Sequence, residues 1–253
     1  MNMATVGQPM PRVDARLKVT GNAKYAAEFD LPNVAHAIVV TSTIASGRIG
    51  SLDTKLAERT AGVLSVITHL TAPRLAYREH KSVLDPEGEG LHVLQDDVVR
   101  FNGQPMALVV ADTLDQAEYA ASLVRIKYIQ EPARADFADA VAHAVAPAAG
   151  LRPDSTTPAD TRRGDPERAF ADAAARLDAH YGIARQQHNP MEPHATIARW
   201  DDDSLTLWDK TQWVGNVRDE LAAVFGIARP SRSTSFRRSW AVLSVRRCAR
   251  GHM

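Results

Sequence analysis

A chain of 253 residues with 45% apolar and 24% charged side chains can bury a real core, in one large domain or two modest ones. Its 30 basic and 30 acidic residues cancel to a formal charge of zero, so bulk charge points to neither a nucleic acid nor an anionic membrane. The single cysteine, Cys248, excludes an internal disulfide, an iron–sulfur cluster and a cysteine-rich zinc site on this chain.

Residues 1–18 are polar, with Pro9 and Pro11, and read as an arm laid on a surface. Met1 to Asp14 lacks a basic stretch followed by an apolar run, so no signal peptide is expected. No apolar run approaches the ~20 residues of a membrane helix. A cytoplasmic location follows, or a periplasmic one if an exported partner carries the chain. Ala35–Thr43 is β-branched and apolar and predicts a strand. Leu52–Arg59 predicts a helix, with Leu52, Leu56 and Ala57 at helical spacing and Gly62 as its C-cap. Val63–Thr68 predicts the next strand, and Ser82–Leu94 is turn-rich. Asn102-Gly103 predicts a turn ahead of a strand over Met106–Ala111. A helix follows over Thr113–Leu123, capped by Asp112 or Thr113, and then an alternating strand over Val124–Ile129.

Residues 132–165 read as a linker, with Pro147, Pro153 and Pro158 and a short alanine-rich helix over Phe137–Val145. Asp165-Pro166 predicts a capped helix start, with helix over Glu167–Ala175. Strands are expected over Ala179–Arg185, Ala195–Trp200 and Leu205–Lys210, the last two joined at Asp201-Asp202-Asp203. An amphipathic helix over Val214–Phe225 ends at Gly226. The fold class is α+β. The expected divisions are an arm (1–18), a first domain (19–131), a linker (132–165), the start of a second domain (166–228) and an arginine-rich tail (229–253).

Several blocks together resemble one family. They are Arg12-Val13-Asp14-Ala15 through Lys18-Val19-Thr20-Gly21, with Ala23, Tyr25 and Asp30; Ser42, Ala45, Gly47 and Ile49; and Gly103-Gln104-Pro105-Met106-Ala107. Further on come Gly164-Asp165, Ala169, Tyr181, the run Gln186-Gln187-His188-Asn189-Pro190-Met191-Glu192-Pro193-His194-Ala195, then Asp209, Thr211-Gln212 and Phe225-Gly226-Ile227. The combination is similar to the opening of the molybdopterin-binding subunits of xanthine dehydrogenases and aldehyde oxidases. The resemblance implies a hammerhead-type mixed-sheet domain, then the start of a molybdenum-cofactor domain. It implies an oxidoreductase hydroxylating aldehydes or N-heterocycles with oxygen from water, partnered by iron–sulfur and flavin subunits. Gln186 would be the glutamine whose neutral amide hydrogen-bonds an oxygen ligand of molybdenum, with Gln187 as substitute if the register slips by one.

After Ile227 the family runs into a Gly-Gly-x-Phe-Gly segment against the cofactor, where glycine lets backbone amides approach an anion. Residues 229–250 instead carry seven arginines and no acid. The tail reads as out of frame, and the family's catalytic glutamate lies farther downstream, so no catalytic residue is expected in this chain and no cofactor is expected to be retained by it. Two other functions stay open: a non-catalytic assembly module for the iron–sulfur and flavin subunits, and nucleic-acid binding through the tail, where Phe236 and Trp240 lie among the arginines. The apolar run Trp240–Val245 could equally be a sticky segment. His188, Glu192 and His194 would share one face of an extended strand, but Pro190 and Pro193 disturb it, and a hydrogen-bonded turn is expected in place of a metal cluster. No metal ligand set is therefore assigned.

Overall fold

The computed structural model describes residues 7–77, 91–133, 135–144, 163–184, 186, 189–201, 204–211, 213–227 and 242–246. The arm contains one helical turn, α1 (Ala15–Val19), held from outside by Asp14. The Asp14 carboxylate takes Arg12 and Lys18 at 3.0 Å each, which accounts physically for that acid and those bases in the matched block. Hydrogen bonds from Arg12, then Lys18, pull its pKa down to about 2. A lowered pKa means stabilisation that is full above the ordinary value of 3.8 and is lost as pH falls through about 2. Carboxyl NMR titration is therefore expected to find Asp14 titrating well below the ordinary aspartate value of 3.8. A midpoint at the ordinary value would contradict the ion-paired turn.

After a 3-10 turn over Ala26–Glu28, the chain enters β1 (His36–Thr41), β2 (Gly47–Asp53), α2 (Lys55–Glu58) and β3 (Val63–Thr68). Next come β4 (Val98–Val99), β5 (Pro105–Ala111), α3 (Leu114–Leu123) and β6 (Arg125–Gln130). These strands form two three-stranded antiparallel sheets, in the orders β1-β5-β3 and β4-β2-β6. β5 is central and the most apolar, and Met106, Ala107, Val109 and Ala111 are buried along it. α3 lies across β1 and β5. It can approach closely because Ala117 and Ala120 face inward, and Val66, Val109, Ala57 and Val124 complete the core beneath it. The cap of α3 is Thr113, not Asp112: its hydroxyl accepts from Gln116 N–H while Gln116 Oε1 accepts from Thr113 N–H. Gly62 turns beside that cap at φ +83°.

The expected helix over Leu52–Arg59 is corrected: Leu52 and Asp53 end β2, and only Lys55–Glu58 is helical. β2 carries two glycines and little apolar alternation, so its pairing with β6 makes it a strand and its local pattern does not. β4 was equally invisible, being two residues long.

In the second half, α4 (Phe137–Val141) is shorter than the expected alanine-rich helix. α5 (Pro166–Ala171) begins as expected, with Asp165 Oδ1 accepting from Arg168 N–H. The strand expected over Ala179–Arg185 is not observed over its described residues. Tyr181 is 81% and Ile183 87% exposed, and none of the described strands pairs with this segment. β7 (Ile197–Asp201), β8 (Ser204–Trp208), α6 (Val214–Val224) and β9 (Val242–Arg246) follow. They give a third antiparallel sheet, β7-β8-β9, with Leu205 and Leu207 of β8 packed on Ala222 of α6. Gly226, at φ +62°, ends α6: its N–H reaches the Ala223 carbonyl and that of Ile227 reaches Ala222, which returns Ile227 to the core. Within the arginine-rich tail the described residues are those of β9, which is the second neighbour of β8. Among the described residues no helix is long and apolar enough to cross a membrane.

Candidate functional site

Gln186 lies on irregular chain between α5 and β7, and its side chain is exposed. Its Nε2 donates to the Ala184 carbonyl at 3.0 Å. One amide hydrogen is thus used, which leaves a second N–H and the amide oxygen for other partners. The neighbouring residues Tyr181, Gly182, Ile183, Ala184, Asn189 and Pro190 are exposed too. The described residues therefore do not enclose a ligand around Gln186. Its neutral amide suits one hydrogen bond to an anionic oxygen. Gln187, His188 and Gln212 lie outside the described residues.

Glu192 and His194 separate from any shared metal role. His194 is exposed, whereas Glu192 is half-buried with Oε1 accepting from Ala26 N–H at 2.9 Å. Its backbone carbonyl accepts from Lys210 Nζ at 2.8 Å. Among the described residues no cluster of three histidine, cysteine or acidic side chains could hold a metal. Other matched residues serve the local fold. Asp209 Oδ1 accepts from the Thr196 hydroxyl at 2.6 Å, and Thr211 Oγ1 accepts from Trp213 N–H at 3.1 Å just before α6.

The contact between the two halves was not legible beforehand. Phe29 meets Trp208 with ring centroids 6.3 Å apart, Lys24 lies over Phe29 at 6.0 Å, and Arg199 lies over Trp208 at 5.9 Å. Ala76 N–H donates to the Val224 carbonyl at 2.9 Å, at the C-terminal end of α6. These pairs join residues far apart in sequence, and no local pattern announces them.

The family description "Aldehyde oxidase and xanthine dehydrogenase, a/b hammerhead domain" matches residues 20–132, and "Molybdopterin cofactor-binding domain" matches residues 151–231. The chain is 38% identical over 222 residues to the aldehyde oxidoreductase molybdenum-binding subunit PaoC of Escherichia coli K12, covering 87% of this chain and 28% of that subunit. It is 34% identical over 213 residues to the 6-hydroxypseudooxynicotine dehydrogenase complex subunit gamma of Paenarthrobacter nicotinovorans, covering 81% of this chain and 27% of that one. Among solved structures, the aldehyde oxidoreductase of Desulfovibrio gigas superposes with a TM-score of 0.66 at 27% identity, over 85% of this chain and 25% of that one. The chain thus spans little more than a quarter of the length of these relatives.

Proposed function

The chain belongs to the aldehyde oxidase and xanthine dehydrogenase family, in its molybdopterin-binding subunits, and from that premise we propose that it is the opening portion of the molybdenum-cofactor subunit of a molybdenum hydroxylase. When bound, the cofactor supplies hydroxylation of an aldehyde or N-heterocycle with oxygen from water. This chain's part is structural and positional. Residues 19–131 form the hammerhead platform, 132–165 the connection, and 166–228 the first elements of the cofactor domain. The observation that carries this reading is the juxtaposition of the two matched regions: the turn at Ala26–Glu28 and the rings of Phe29 and Trp208 hold the second region's opening on the first. Gln186 contributes a single neutral amide toward an oxygen ligand of molybdenum. On this reading the chain alone does not retain the cofactor, and the family's catalytic glutamate lies farther along the subunit. Iron–sulfur and flavin subunits are its partners, in the cytoplasm.

Sequencing the gene beyond the codon for Ile227 in all three frames tests the extent of this unit. A frame that continues into Gly-Gly-x-Phe-Gly and several hundred further codons is expected. The longer product then tests the glutamine. Gln186→Ala is expected to lower the molybdenum retained through gel filtration. Gln212→Ala is the paired control, because Gln212 stands between β8 and α6 in the same matched region. Loss with Gln212→Ala alone would move the role from Gln186 to Gln212.

A second reading, a non-catalytic docking module, draws on one observation. Phe170, Leu177, Tyr181, Ile183 and Met191 are all more than half exposed along one stretch of chain. Co-purification with the iron–sulfur and flavin subunits at full stoichiometry, with no molybdenum in any longer product, would favour it.

A further inference from the structure

The turn that opens the hammerhead match cannot complete its own hydrogen bonding. Tyr25 N–H is taken by Glu28 Oε2 at 2.6 Å, and Glu28 N–H by the Tyr25 carbonyl at 3.0 Å. Ala26, 5% exposed, starts the turn, and its N–H has no partner within it. That donor goes to Glu192 Oε1 at 2.9 Å, from the other matched region. A carboxylate is the strongest acceptor available to a backbone N–H. Glu192 is itself set firmly. Pro190 and Pro193 restrict the chain on either side, and its own carbonyl is held by Lys210 Nζ at 2.8 Å, next to β8. Beside this bond, the Phe29 and Trp208 rings pack at 6.3 Å.

We propose that Glu192 is a positioning residue that fastens the opening of the cofactor domain to the first turn of the hammerhead, so that one carboxylate sets where residues 189–194 lie relative to that platform. The inference rests on the proposed function only for what the positioned segment faces. The fastening itself is a property of this chain.

Hydrogen–deuterium exchange on the full chain tests it without any cofactor. Glu192→Ala is expected to speed exchange about tenfold or more both in peptides covering 24–30 and in peptides covering 189–200. Glu192→Gln, which keeps a carbonyl acceptor for Ala26 N–H, is expected to restore most of the protection in both. Peptides from 105–111 report the fold. If Glu192→Ala loosens those as well, Ala26→Pro provides the second arm. Proline suits the first position of such a turn and deletes the donor. It should loosen 189–200 as Glu192→Ala does, and the double variant should add nothing further. Loosening of 189–200 while 24–30 keeps its protection would overturn the proposal, as would failure of glutamine to rescue. Molybdenum content of the longer product is read separately. Coupled exchange without molybdenum loading would sink the cofactor reading and leave the positioning role standing.

Discussion

Replacing Gly47 by alanine is expected to destabilise the protein by about 3–5 kcal/mol. Gly47 lies in the central strand of its sheet, paired with Val99 on one side and Gln130 on the other. Its φ is +144°, a region that side chains of L-residues rarely enter. The added methyl would sit 2.2 Å from the Ile129 carbonyl oxygen and 3.0 Å from Gln130 Cα, both backbone atoms that cannot swing aside. Relief therefore requires β2 and β6 to part at this point, which loses ladder hydrogen bonds in addition to the backbone strain. Urea titration followed by circular dichroism measures the loss. The four tryptophans, Trp200, Trp208, Trp213 and Trp240, all lie in the second half, so their fluorescence reports whether that half falls with the first. An alanine variant as stable as the wild type would mean that the β2–β6 register is not as described.

Replacing Gln104 by leucine is expected to cost about 2–4 kcal/mol. Gln104 is 3% exposed and satisfies two backbone groups at once: Oε1 accepts from Arg100 N–H at 2.7 Å and Nε2 donates to the Val98 carbonyl at 2.7 Å. Leucine keeps the volume and strands both partners. The same knot holds Ser42, 3% exposed, whose hydroxyl donates to the Phe101 carbonyl at 2.8 Å and accepts from Gln104 N–H at 3.1 Å. It ties the end of β1 to β4 and to the turn before β5, and so joins the two sheets. Arg100 adds a guanidinium on Asp96 at 2.6 Å, which holds that carboxyl below its ordinary range. Because Ser42 Oγ accepts from the backbone N–H of Gln104, the two side chains brace the same turn, and a double-mutant cycle with Ser42→Ala should show the two losses to be less than additive. Full additivity would mean that the two side chains act separately.

These two residues show what the sequence could and could not disclose. Both stood out through family resemblance, and neither showed its physical task until the strands were placed. Local signals performed well where one element is self-sufficient. Asp112-Thr113 marked the start of α3, with the structure choosing Thr113, Asp165-Pro166 marked the start of α5, and Gly226 the end of α6. β3 and β5 were legible because apolar, β-branched runs suit buried strands. β2 was misread because its strand character comes from its neighbours, and the expected strand over 179–185 was misread because its described residues pair with no strand and stay exposed. The candidate site followed the same rule. Gln186 could be singled out by type and motif. The fastening of Glu192 to Ala26 spans 166 positions and has no sequence signature.

The central claim is that this chain carries the platform and the first contacts of a molybdenum-cofactor subunit without holding the cofactor by itself. The direct measurement is molybdenum by mass spectrometry, with pterin fluorescence after oxidation, on the chain of 253 residues purified from a host that makes molybdopterin. The expected result is a folded chain with molybdenum and pterin at background. One molybdenum and one pterin per chain, retained through gel filtration, would contradict the account and place a complete cofactor site within these residues.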